Sequence, residues 1–225
     1  MQYGAVMNKD ELIVSLLMMG ENRLSDVIET PEGYKPSEET IADMVRKGFL
    51  VEDEQTGNPD YNDFVYMVLW TAVHAESELR INAQQGLSCR LFFQGDTMIL
   101  LTYGTDAPYV LHFLSVIPQA IGGIASTLSW LEEPMDAASK QSAPASDVAP
   151  AQMQLDIRGL LFGEPDMVAR LDRAGNGFVY RWNSSDGDVG TLHPGYYEFI
   201  QKLIPWVVKA HGRSIVAKEE NDGEL

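Results

Sequence analysis

A chain of 225 residues, 45% of them hydrophobic, can form one large domain or two small ones around a real core without covalent staples. Its 33 acidic residues against 16 basic ones leave a formal net charge of −17, which repels nucleic acid and anionic membrane and excludes both as expected partners. Hydrophobic and aromatic residues are spread along the chain, so the charge signals a solvated surface, not a disordered acidic tail.

The start lacks a basic region, and the apolar stretch Leu12 to Met19 is short and follows Lys9, Asp10 and Glu11; this is no export signal, and a cytoplasmic protein is expected. Residues 1 to 6 precede the first recognisable element and are expected to carry no structure. Asn8 can cap a helix with Glu11 three residues on, with Leu12, Ile13, Leu16 and Leu17 as its apolar stripe and Gly20 as its stop. A second helix follows Pro36 and Ser37 through Ile41, Met44 and Val45, and closes at Gly48 after Arg46 and Lys47. After the Gly57-Asn58-Pro59 break, a third opens at Asp60 and carries Phe64, Val65, Val68, Leu69 and Ala72 at helical spacing.

Strands follow at Glu78 to Asn82, Ser88 to Gln94 and Thr97 to Tyr103, the last two joined by the tight turn Gln94-Gly95-Asp96-Thr97. Cys89, the only cysteine, sits among Leu87, Leu91 and Phe92 as a small buried hydrophobe, which fits a reducing compartment. From Pro108 a helix is expected, broken or kinked at Pro118. Ala107 to Leu131 holds no Asp, Glu, Lys or Arg. A membrane span is rejected there because His112, Pro118, Gln119, Gly122 and Gly123 dilute the run and no basic anchor flanks it.

Residues 134 to 150, rich in Ala, Ser and Pro, read as a flexible linker. Beyond them the element order repeats. Leu79-Arg80-Ile81 is echoed by Leu155-Asp156-Ile157, and Arg90-Leu91 by Arg170-Leu171. Met98 to Tyr103 is echoed by Phe178 to Trp182, and the helix from Pro108 to Ile117-Pro118 by that from Pro194 to Ile204-Pro205. The expected class is α+β: two related strand-strand-strand-helix halves in pseudo-twofold arrangement, forming a mainly antiparallel sheet flanked by helices, with an N-terminal helical region. The boundaries are 7–133 for the N-terminal helices and first half, 134–150 for the linker, 151–218 for the second half and 219–225 for an acidic tail.

The search for chemistry yields no catalytic, cofactor or metal residue. His74, His112, His193 and His211 are scattered without metal-ligand spacing, and His74 and His112 fall on expected helices. Asp186-Gly187-Asp188 lacks the later acidic residue of a calcium loop. Glu38-Glu39, Glu132-Glu133 and Asp53-Glu54 lie at helix starts or in loops, and neither Gly175-Asn176-Gly177 nor Gly122-Gly123 continues as a phosphate-binding motif. Binding features are stronger. Val110, Leu114, Ile117, Ile121 and Ile124 form an uncharged stripe broader than one sheet face needs, and Met18, Met19, Met44 and Met67 are adaptable contacts; a helical protein partner or a homodimer would use them.

The N-terminal helix at Leu12 to Met19, the helix exit Arg46-Lys47-Gly48-Phe49-Leu50 and the two sheet-plus-helix halves together resemble the EspG-like chaperones of type VII (ESX) secretion systems. The resemblance implies a non-catalytic chaperone or adaptor binding a secreted helical protein in the cytoplasm. Family members carry a prominent substrate-contacting loop in the first-half hairpin. Here Gln94 to Thr97 is a tight turn, so no binding residue is carried over. Two other readings compete: an enzyme, which would gather ionisable groups in one deep polar pocket, and an immunity-type protein whose acidic face neutralises a basic partner.

Overall fold

The computed structural model describes residues 4–20, 24–52, 57, 59–132, 152–161, 164–174, 177–184, 189–192 and 195–222. Its first element is a strand, β1 (Gly4–Met7), not the structureless leader expected for residues 1 to 6. Ala5 and Met7 are buried, and β1 pairs antiparallel with β7 (Ala107–Leu114), so these residues complete one edge of the sheet.

Helix α1 (Lys9–Met19) begins as its sequence dictates: the Asn8 side chain accepts from the Glu11 N–H, and the Glu11 carboxylate accepts from the Asn8 N–H. Gly20 closes it at φ 72°, a left-handed conformation that favours glycine. Helix α2 (Glu38–Arg46) is capped by Ser37. The third helix, α3 (Asp63–Val73), starts three residues later than expected, capped by Asn62. Pro59–Tyr61 forms a strand, β3, paired with β2 (Leu50–Glu52). Pro59 suits an edge strand, and pairing of Asp60 and Tyr61 with Val51 and Leu50 keeps the backbone extended until the next capping residue.

The remaining strands are β4 (Ser77–Ala83), β5 (Ser88–Gln94) and β6 (Thr97–Gly104), then β8 (Gln152–Leu161), β9 (Glu164–Ala174), β10 (Gly177–Ser184) and β11 (Val189–Leu192). They form one nine-stranded sheet in the order β1-β7-β6-β5-β4-β8-β9-β10-β11, every neighbour pair antiparallel. The fold is α+β, an antiparallel sheet flanked by helices. The stretches before and after residues 134–150 share this sheet through β4 and β8, with Ile81 opposite Ile157. Residues 134–150 themselves lie outside the described residues, as do 223–225 of the expected tail.

Four strands, not three, precede each sheet-covering helix, because the helix expected from Pro108 is the strand β7. Tyr109, Leu111 and Phe113 point to one face and Leu114 to the other. Val110 on the Leu114 side is half-buried as well, so the run reads as nearly continuously apolar and hides its period of two, although Pro108 and His112 on that side are exposed. Helix α4 (Ile117–Leu128) begins only afterwards, with Pro118 in its first turn, where the missing N–H costs nothing. Pro118 therefore starts a helix; it does not break one. Pro205 behaves differently: it lies inside α5 (Tyr196–Asp222), which continues past it for four more turns.

Strand alternation splits the core. Leu79, Ile81, Leu91, Phe93 and Leu100 pack under α4 and α5 with Phe199, Leu203 and Val207. Phe92, Ile99, Leu101 and Leu111 pack under the N-terminal helices with Leu12, Leu16, Val65 and Leu69. Sheet and helix meet closely at Gly123, where a Cβ would lie 2.5 Å from Leu100 Cδ2, so a larger residue there forces the buried Leu100 side chain to move.

Candidate interaction surface

The stripe singled out in sequence divides between two elements. Val110 and Leu114 lie on β7, and Ile117, Ile121 and Ile124 on α4. Leu114 and Ile124 are buried in the core, Ile117 and Ile121 are half-buried against the same cluster, and Val110 is half-buried opposite Val6 of β1. Most of the stripe's breadth is therefore used in joining α4 to the sheet. Of the methionines, Met44 is fully buried and Met19 packs on the core, whereas Met18 and Met67 are exposed.

The histidines stay apart. His74 follows α3 with its ring stacked on Trp70, His112 is exposed on the strand β7 and not on a helix, and His211 on α5 lies near the Phe93 ring. His193, Asp186-Gly187-Asp188 and Glu133 lie outside the described residues. Cys89 is buried, and burial alone pushes its thiol up to about 12, which keeps it protonated and unreactive.

A shallow groove of about 380 Å³ runs between β1, the turn after α2 and the start of α3. Lys47, Gly48, Phe49, Val6, Phe64 and Val65 line it. Lys47-Gly48-Phe49, the middle of the segment Arg46 to Leu50, thus forms a wall of this groove. The Lys47 ammonium lies 5.7 Å from the Phe49 ring centre and donates to both Glu11 carboxylate oxygens. Lys47 is the groove's one ionisable side chain, and Glu11 holds it; this lining suits an apolar contact better than acid-base chemistry.

Two features escaped sequence reasoning. One is a charge network across β4 and β5. Arg90, 2% exposed, donates to Asp26 at 2.6 Å and Glu78 at 3.3 Å, while Arg80 donates to the same two carboxylates. Burial raises the Asp26 carboxyl, but the Arg90 hydrogen bond and the Arg90 and Arg80 charges outweigh it and hold the group below its ordinary value. The network straps the segment around Asp26 to the sheet. Nothing in the local sequence of Asp26 announced it, because its partners lie more than fifty residues away.

The other is the outer face of α3. Tyr66, Met67 and Trp70 are 44%, 36% and 40% exposed; the rings of Tyr66, Trp70 and His74 stack in a row, with Tyr61 tilted against Tyr66. The four-residue spacing of Tyr66, Trp70 and His74 is visible in the sequence, but the apolar residues Val65, Val68, Leu69 and Ala72 on the other side of the same helix give the stronger signal, for a core face.

No protein-family model and no curated protein sequence matches this chain. Among solved structures, the fold is similar to the Mycobacterium tuberculosis type VII secretion system chaperone EspG5, determined in complex with the PE25-PPE41 dimer. The TM-score is 0.56 and the identity 12%, and the match covers 92% of this chain and 96% of that one. At this identity the likeness is one of fold. Among the described residues no helix is long and apolar enough to cross a membrane.

Proposed function

We propose that this chain is a non-catalytic, protein-binding chaperone or adaptor that acts in the cytoplasm on a helical substrate of a type VII secretion system. The observation that carries the reading is a likeness spanning 92% of the chain to a chaperone solved with its protein dimer. The resemblance carried by the helix at Leu12 to Met19, the helix exit Arg46 to Leu50 and the two sheet-plus-helix halves points to the same class, and Lys47, Gly48 and Phe49 of that exit line the groove. The half-buried members of the sequence stripe, Val110, Ile117 and Ile121, are the proposed partner contacts, with Leu114 and Ile124 supporting them from the core.

The reading includes a repeated architecture. Strand registers support it: Leu79 faces Leu91 as Leu155 faces Leu171, and Leu91 faces Leu100 as Leu171 faces Tyr180. Each set of four strands leads into one helix of the same sheet face, with β4 against β8 between them. Doubling the unit covers an edge that one copy would leave open.

The test is an affinity capture from the native host cytoplasm at low and high salt, with bound proteins identified by mass spectrometry and the contact mapped by crosslinking. Recovery of a small helical secreted protein is expected. A bait that brings down no protein but retains a small molecule or metal would overturn the reading in favour of an enzyme.

A further inference from the structure

The water-facing side of α3 is built of rings where a solvated helix ordinarily carries charge. Tyr66, Met67 and Trp70 are exposed along it. The rings do not float. The Tyr61 hydroxyl donates to the Ser15 carbonyl at 2.6 Å, and Tyr61 and Tyr66 lie 6.4 Å apart. Tyr66 and Trp70 stack at 5.7 Å and 25°, and Trp70 and His74 at 3.6 Å and 20°. A shelf held this way loses little side-chain freedom when it is covered.

Its frame is acidic. Between Lys47 and Arg80 the chain has no Lys or Arg, and of its acidic residues there Asp60 and Asp63 are exposed next to Tyr61 and on α3, while Glu78 is buried on Arg80 and Arg90 and Glu76 accepts from the Ser214 hydroxyl. Exposed Asp63 lies one turn before Tyr66 and Met67 on α3, and exposed Asp60 pairs across β2 and β3 with Val51, itself 45% exposed. The ring faces are taken up by one another in the stack, so the ridge offers an apolar contact, and the carboxylates beside it favour a partner of opposite charge.

We infer that the outer face of α3 docks a basic amphipathic helix, whose apolar residues cover Tyr66, Met67 and Trp70 while its Arg or Lys side chains reach Asp60 and Asp63. This deepens the protein-binding reading and rests on it, adding a second contact away from α4 and naming the partner's charge. The i, i+4 spacing of Tyr66, Trp70 and His74 makes a straight ridge that a second helix can lie along. A second copy of this chain is disfavoured, because it would bring another −17 of charge to the same acidic face.

The experiment titrates the full chain with two fluorescent synthetic helices of identical leucine pattern, one with Lys and Arg on its polar face and one with Glu. The basic helix is expected to bind, and more weakly at about 300 mM than at about 50 mM salt. Trp70→Ala and Tyr66→Ala each reduce its affinity about tenfold or more. Asp60→Asn with Asp63→Asn weakens it and flattens the salt dependence, while Glu38→Gln with Glu39→Gln on α2 leaves it unchanged. Met67→Lys, which adds a charge at an exposed site without removing a ring, also abolishes binding. Unchanged affinity in the Trp70 and Tyr66 variants, equal binding of the Glu helix, or equal loss in the α2 variant overturns the inference. So does a self-association, measured by sedimentation, that Trp70→Ala dissolves. A native partner recovered equally by wild type and Trp70→Ala removes this surface but leaves the chaperone reading standing; recovery of no partner removes that reading instead.

Discussion

Lys47 reaches Glu11 across thirty-six residues of chain, its ammonium 2.7 and 2.8 Å from the two carboxylate oxygens, and the Glu11 side chain has no exposed surface. One carboxylate thus caps α1 and anchors the end of α2. Lys47→Met leaves a buried charge with only its cap to hold it, and is expected to destabilise by about 2 kcal/mol, Lys47 being partly exposed. Adding Glu11→Gln to Lys47→Met recovers part of that loss. A double-mutant cycle by urea denaturation measures the coupling, and strictly additive losses would refute it.

The strand β1 contributes stability through Met7, which is fully buried and accepts a weak hydrogen bond from the Ser15 hydroxyl. Met7→Ala is expected to lower unfolding free energy by about 2–4 kcal/mol. A shift below about 0.5 kcal/mol in chemical denaturation would show that the edge strand is dispensable.

Adjacent glycines on α4 should respond oppositely. A Cβ at Gly122 meets nothing within 4 Å, so Gly122→Ala gains helix propensity and is expected to stabilise by about 0.5–1 kcal/mol. A Cβ at Gly123 drives into Leu100, itself 2% exposed, and Gly123→Val is expected to lose about 2 kcal/mol or more by overpacking. Thermal unfolding of the pair decides it, and equal shifts would refute the close approach.

Cys89 is expected to resist alkylation by iodoacetamide at pH 8, because burial raises its thiol to about 12 and encloses it. Labelling should follow the unfolding transition as urea is added. Rapid labelling of the folded chain would show the site to be open.

Asp26 makes stability depend on pH in the acid range. Its folded pKa lies below the ordinary 3.8, so its contribution is fully present above the unfolded value and is lost as pH falls through the folded one. Between pH 5 and pH 3 the wild type should lose more stability than Asp26→Asn. Asp26 is 45% exposed, so solvent screening keeps the difference small, below about 1 kcal/mol. Parallel acid titrations that coincide would remove Asp26 from the network.

Local chemistry wrote much of this protein into its sequence. Asn8 with Glu11, Ser37, Gly20 and the Gly95-Asp96 turn each set an element boundary through neighbours within four residues, and all four lie where expected. The α+β class followed from such signals in order. What failed was the assignment of β1 and β7. β1 becomes a strand only by pairing with β7 about a hundred residues away, whereas β7 forms a hairpin with β6 and gives apolar residues to both core clusters, which hides its alternation. The Val110 to Ile124 stripe failed as a single face for the same reason, since a strand and a helix share it. Only tertiary structure joined Asp26 to Arg80 and Arg90, brought Lys47 to Glu11, and turned the rings of α3 outward. Capping and turn preferences act over one helical turn, whereas which face meets water depends on which distant surfaces pack against the other side.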